Sequence, residues 1–161
     1  MDRADRAAFA HVAFLVGVWA GLAPGVLVRN ADGQLDLTFR NPLYLTLAVI
    51  LLVGGSALVY YPGRELAAAG AHLFTMRPGP RLVTDGWYGR IRKPQDIGTL
   101  MIAVAPAVAL VEPTAWVGPL IAAVYVLLGT GLYEDRLLLE TFGDEFRQYR
   151  RSVPRFVPRF R

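Results

Sequence analysis

Two short runs in this chain set charge beside apolar sequence, where it needs either a partner or a ligand. The first is Arg92-Lys93, preceded by Gly86-Trp87-Tyr88-Gly89 and followed by Pro94, Asp96 and Gly98. The second is Glu134-Asp135, followed by Arg136, Leu138, Phe142 and Gly143. Cations at a membrane boundary either snorkel to headgroups or hold a ligand's carboxylate. On a helix, Glu134 lines up with Leu138 and Phe142, so its carboxylate shares the stripe that packs inward. An inward acid needs a cation, for which Arg90 and Arg92 are the candidates, or the hydroxyls or ammonium of a ligand. Asp96 opens an apolar run. It suits the positive end of a helix as a cap, or serves as a base. Trp87 and Tyr88 offer π faces to a cationic centre.

The rest of the chain must hold these runs together. Of its 161 residues, 54% are hydrophobic and 19% charged, with a mean hydropathy of +0.37. That balance is poorer in charge than the roughly one quarter usual for soluble domains, and it points to lipid. There are no cysteines, which excludes disulfides, thiolate metal sites and a cysteine nucleophile. His11 and His72 lie far apart, so no metal site is visible. The net charge of +4 comes from arginines beside apolar stretches, where topology and anionic headgroups explain it better than nucleic acid does.

A membrane helix takes roughly 20 apolar residues. Four spans are predicted: 7–28, bent near Pro24-Gly25; 43–61; 97–111, with Pro106 inside; and 116–133. The connection Glu112-Pro113-Thr114-Ala115 makes the last two a helical hairpin. The first apolar run is too long for a cleaved signal peptide and reads as a retained anchor. His11 within it reads as a helix-packing polar residue, and Gly54-Gly55 as a close helix contact. The 29–42 loop, around Asp32-Gly33, carries a hairpin signal. Six basic residues fall between the second and third spans, seven in the tail, and none between the third and fourth. The positive-inside rule then puts both termini and the second loop in the cytoplasm, so the two charged runs share a side. The sequence thus predicts an all-α integral membrane protein, one membrane domain over 1–161 with about four transmembrane helices. Its C-terminal helical hairpin leads into a cytoplasmic C-terminal helix, in a membrane expected to be the bacterial plasma membrane.

Within the segments 64–96 and 134–158, Glu65–Phe74 reads as a surface helix broken by Pro78-Gly79-Pro80. Gly143 suits a helix C-cap. Asp144 then caps a second helix through Phe146 and Tyr149, and Val153-Pro154-Arg155-Phe156-Val157-Pro158 closes the chain as an extended strap.

Taken together, these pieces resemble the isoprenylcysteine carboxyl methyltransferase and phospholipid methyltransferase superfamily. That family carries Gly-x-Tyr, Arg-His-Pro-x-Tyr-x-Gly, then after a hairpin Glu-Glu-x-x-Leu, Phe-Gly, two spaced aromatics and Val-Pro-x-x-x-Pro. This chain reads Gly86-Trp87-Tyr88, Arg92-Lys93-Pro94-Gln95-Asp96-Ile97-Gly98, Glu134-Asp135-Arg136-Leu137-Leu138, Phe142-Gly143, Phe146, Tyr149 and Val153-Pro154 through Pro158. Lys93 stands at the family histidine, Asp96 at the tyrosine and Asp135 at the second glutamate.

The resemblance implies an S-adenosylmethionine-dependent methyltransferase whose lipophilic acceptor enters from the lipid. Arg92 and Lys93 would take the cofactor carboxylate, and Glu134 with Asp135 its ribose hydroxyls or ammonium. Trp87 and Tyr88 would face the sulfonium or adenine. Pro94, Gly98, Leu138 and Tyr149 would complete the cofactor site. Asp96, with Arg92, would serve the chemistry, Asp96 as base for the acceptor. In-line methyl transfer rests mainly on alignment and desolvation. Two alternatives stay open. One is a membrane binding or scaffold protein that kept the fold and lost turnover. The other is an NADPH-dependent reductase, since sterol reductases share a similar Arg-His-Pro-Asn-Tyr pattern; Gln95-Asp96 and the short chain point away from it.

Overall fold

Helix α1 starts where Asn41, in extended conformation (φ −150°, ψ 122°), accepts the Leu43 amide on its side chain at 2.9 Å. Pro42 follows at the first helical position, where its missing N–H costs nothing. The computed structural model describes residues 41–71, 78–110 and 113–157. The predicted span 7–28, His11, the hairpin near Asp32-Gly33 and His72 lie outside the described residues.

α1 runs from Pro42 to Ala68 without interruption, with Pro62 inside it. The sequence reading split this stretch at Pro62-Gly63 into a span and a surface helix; the two are one helix. It stops before the Pro78-Gly79-Pro80 breaker. Gly70 takes φ +75°, its amide meets the Ala67 carbonyl at 3.0 Å, and the Ala71 amide meets that of Leu66 at 3.0 Å. This is a Schellman cap, and glycine supplies its left-handed residue.

α2, Pro94–Leu110, crosses α1 at Gly55 and Gly98. A Cβ on Gly55 would meet the Gly98 carbonyl oxygen at 2.7 Å, and one on Gly98 would meet that of Gly55 at 2.6 Å. The two backbones therefore touch, as small residues allow between membrane helices. After a 3₁₀ turn at Pro113–Trp116 the chain returns as α3, Val117–Val124. Ala103 of α2 and Ala122 of α3 are buried against each other, with Leu100 and Tyr125 beside them. The expected hairpin is present.

The predicted last span is not a simple α-helix. From Tyr125 to Glu134 it is π-helical, through Gly129-Thr130-Gly131, and it then passes directly into α4, Asp135–Ser152. Gly143, at φ +52°, breaks α4 into two helices at the position expected of a cap, and the second half buries Phe146 and Tyr149. No strand occurs among the described residues.

Among the described residues, two helices are long and apolar enough to cross a membrane: Pro42–Ala68, with a hydropathy of 2.1 over its best stretch, and Val117–Ser152, with 1.5. Only 11% of that stretch in the first and 33% in the second is buried, so these helices turn apolar side chains outward. Val53, Leu120 and Leu132 are each about two-thirds exposed. A surface of that kind suits lipid far better than water. The number of spans and the placement of the C-terminal helix stand as sequence expectations.

The backbone contact at Gly98 yields a direct test. Gly98→Val is expected to lower stability in detergent by about 1–3 kcal/mol, because a carbonyl oxygen cannot move aside. Gly54→Ala, which meets only the flexible end of Met101 at 3.1 Å, is expected to melt close to wild type. Equal melting temperatures for the two would contradict the crossing.

Candidate functional site

The segment before α2 is held in place from two directions. Glu65, near the end of α1, accepts the Trp87 amide at 3.0 Å, and its carboxylate fills the space beside Gly86, whose φ of +58° demands glycine. From the other side comes the strap after α4, where Val153 turns extended (φ −113°, ψ 122°). The Pro154 carbonyl accepts the Arg92 amide at 2.9 Å, and the Arg155 carbonyl accepts that of Lys93 at 3.2 Å. Tyr149 donates its hydroxyl to the Tyr88 carbonyl at 2.7 Å. Phe146, Tyr149 and Val153 form a small core with Leu82, Leu138, Leu139 and Phe142 around it. Thus the two charged runs do fold against one another.

Their charges meet. Arg92 and Lys93 are buried, at 8% and 5% exposure. Lys93 Nζ lies 2.5 Å from Glu134 Oε2 and 3.6 Å from Asp135 Oδ1. Arg92 Nη2 lies 3.7 Å from Asp135 Oδ2. The partner of Glu134 is therefore Lys93, not Arg90 or Arg92. Burial of two cations at this depth is tolerable only with the acids in place. Burial pulls the Arg92 guanidinium below its ordinary pKa while Asp135 opposes that pull. Arginine nevertheless stays cationic. Burial, with Glu134 nearby, pushes the Tyr88 phenol well above its ordinary value, so it is a neutral hydrogen-bond donor at every physiological pH.

Several buried polar atoms have no hydrogen-bond partner among the described residues: Tyr88 Oη, Arg92 Nε and Nη1, and Arg155 Nε. Buried donors are almost always satisfied, so the two free nitrogens of the Arg92 guanidinium suit a ligand with acceptor atoms. Phosphate or hydroxyl oxygens fit such a set.

Asp96, on the first turn of α2, is buried and bonded at 2.7 Å to the Thr130 hydroxyl, with Arg155 Nη2 at 3.9 Å. Among the described residues, Arg155 is the cation within ion-pair distance of Asp96. Pro94 is fully buried at the start of α2. The remaining predicted residues stand apart in role. Gly98 makes the α1 crossing, Leu138 packs on the Phe146 core, and the Trp87 side chain is exposed. The structure therefore gathers Tyr88, Arg92, Lys93, Glu134, Asp135 and Tyr149, while the positions of Gly98 and Leu138 are explained by packing.

Three participants were missed. Thr130 carries a signal, as the one hydrogen-bonding side chain within the apolar run Val117–Leu132 apart from Tyr125. Arg155 is hidden among the tail arginines, and Glu65 gives no sign that it holds a loop 22 positions away.

No protein-family profile matches the chain, and no solved structure matches it significantly. Among curated proteins it is similar to a Delta(14)-sterol reductase of Methylotuvimicrobium alcaliphilum, 30% identical over 104 residues, which is 61% of this chain and 23% of that protein. The chain thus spans less than a quarter of its relative's length. A stretch covering that share of the chain must include residues 64–98 wherever it lies, and so contains Tyr88, Arg92, Lys93 and Asp96.

Tyr149→Phe is expected to cost about 1–3 kcal/mol in chemical denaturation, since it leaves the Tyr88 carbonyl buried without its donor. Unchanged stability would mean that this bond does not join the two segments. The similarity also corrects the enzymatic expectation drawn from sequence: the relative is a reductase, so the methyltransferase assignment is overturned.

Proposed function

We propose that this chain is, or belongs to, a membrane-embedded reductase that saturates a double bond in a lipophilic substrate, with a reduced nicotinamide dinucleotide as the source of electrons. The observation that carries the reading is the similarity to the Delta(14)-sterol reductase across the segment holding Arg92 and Lys93. The donor set supports it. Arg92 presents Nε and Nη1 from a buried guanidinium, and Tyr88 adds a hydroxyl locked in its neutral form. Such a fork matches phosphate oxygens, and a dinucleotide carries several. The bound nicotinamide would supply a hydride.

The protein's own residues do the rest. Lys93 and Glu134 neutralise each other and keep the cation segment fixed against the tail. Asp135 holds Arg92 in orientation. The strap closes the segment from one side and excludes water. The outward apolar faces of α1 and α3 leave a path for a lipid to approach from the bilayer. The arginine distribution supports a site on the cytoplasmic side of the membrane, where a soluble dinucleotide is available.

The test is ligand-induced stabilisation of the purified protein in detergent. NADPH at about a hundred times its dissociation constant is expected to add about 2.7 kcal/mol, and Arg92→Gln is expected to lose that gain. Stabilisation by S-adenosylmethionine and not by NADPH would reverse the reading.

A further inference from the structure

The Thr130 hydroxyl has one hydrogen and two acceptors within reach. Asp96 Oδ2 lies at 2.7 Å, and the Val126 carbonyl, one turn back, at 2.8 Å. It can serve only one at a time. When Asp96 is ionised, the hydroxyl donates to it. When Asp96 carries a proton, the carboxyl donates to the hydroxyl, which turns to the carbonyl. The Val126 carbonyl is covered in both cases, because Arg155 Nη2 donates to it at 3.1 Å. Asp96 and Thr130 are both buried, and neither protonation state leaves the Asp96 carboxyl, the Thr130 hydroxyl or the Val126 carbonyl without a partner. Ordinary buried carboxyls are built for one state, since a lost buried hydrogen bond is costly. This one is built for both.

We propose that Asp96 and Thr130 form a proton-exchanging pair, with Asp96 holding the proton that the site delivers to its substrate. This rests on the reductase reading. There, the π bond of the substrate breaks and two C–H bonds form. A hydride from the reduced nicotinamide dinucleotide goes to one carbon, and the proton from the Asp96 carboxyl goes to the other. The dinucleotide leaves oxidised, and Asp96 is left as a carboxylate that regains its proton from solvent. The charged and titratable groups around it are Lys93 on the preceding segment, Arg155 on the strap, and Glu134 and Tyr125 on the π-helical stretch. Asp96 stands ahead of the apolar run Ile97–Leu110, next to the cation cluster and not deep in lipid.

Infrared titration of the protein in detergent reads the pair without turnover. One component of the protonated-carboxyl absorption is expected to appear and vanish with pH in the wild type and to be missing from the spectrum of Asp96→Asn. Thr130→Val is expected to move the midpoint upward by about one pH unit, because the ionised form loses its charge-assisted donor, and Thr130→Ser to restore it. A band unchanged in Asp96→Asn, or a midpoint unmoved in Thr130→Val, overturns the pair. With NADPH and a lipid extract, Asp96→Asn is expected to keep the NADPH stabilisation and lose at least about 100-fold in reduction. Wild-type reduction in that variant also overturns it. If NADPH neither stabilises the wild type nor is consumed while the band still titrates, the reductase reading fails and the proton-exchanging pair stands.

Discussion

Two adjacent cations cannot be buried at the end of an apolar helix unless acids arrive from elsewhere in the chain to meet them. Here Lys93 and Arg92 are met by Glu134 and Asp135, more than forty positions later. That requirement governs the architecture. α2 must leave the cation segment and α3 must return to it, so that the π-helical stretch ends with its acids beside the cations. A hairpin with a short turn at its far end does this with the least chain. The alanines at the α2–α3 contact, Ala103 and Ala122, let the two helices run close enough for the charges to pair.

The pairing alone would leave the cations open to water from one side. The strap supplies the remaining wall, bonding the Arg92 and Lys93 amides through the carbonyls of Pro154 and Arg155. Gly143 is what allows the strap to reach: its left-handed conformation turns the second half of α4 so that Phe146 and Tyr149 face the same segment. Arg155 then serves three neighbours at once. Its carbonyl holds Lys93, its guanidinium bonds Val126, and it approaches Asp96. Its guanidinium also lies where a side chain at Gly131 would stand. The polar network is therefore continuous from the cation cluster to Asp96, and each part fixes the geometry of the next.

Part of this was legible in the sequence. The juxtaposition of the two charged runs followed from arginine placement, and the break at Gly143 answers to glycine's access to positive φ. The cap at Gly70 was not read: the helix was expected to continue to Phe74, and it ends at Ala68. The α2–α3 hairpin followed from two apolar runs separated by four residues. What could not be read was geometry set by packing. Pro62 suggests a helix end, yet α1 continues because its first turns beyond Pro62 are anchored by Glu65 and capped at Gly70. A π-helical stretch has no sequence period to betray it, and so Thr130 and Asp96 were not seen as partners. Chemistry was the least legible. The stretch around Arg92-Lys93-Pro94 resembles patterns in enzymes that use different cofactors, and a pair of buried cations does not by itself name a ligand. The similarity to a reductase, and not the residues, separated those readings.

The central claim is that the cation segment and the tail are held together by a coupled buried ion pair. A double-mutant cycle in chemical denaturation, using Lys93→Met, Glu134→Gln and both together in the purified protein, measures it most directly. Neighbours in contact couple while independent sites add to within about 0.5 kcal/mol. The account predicts a coupling of about 1 kcal/mol or more, with the double variant more stable than the single effects foretell. Additive losses would contradict it.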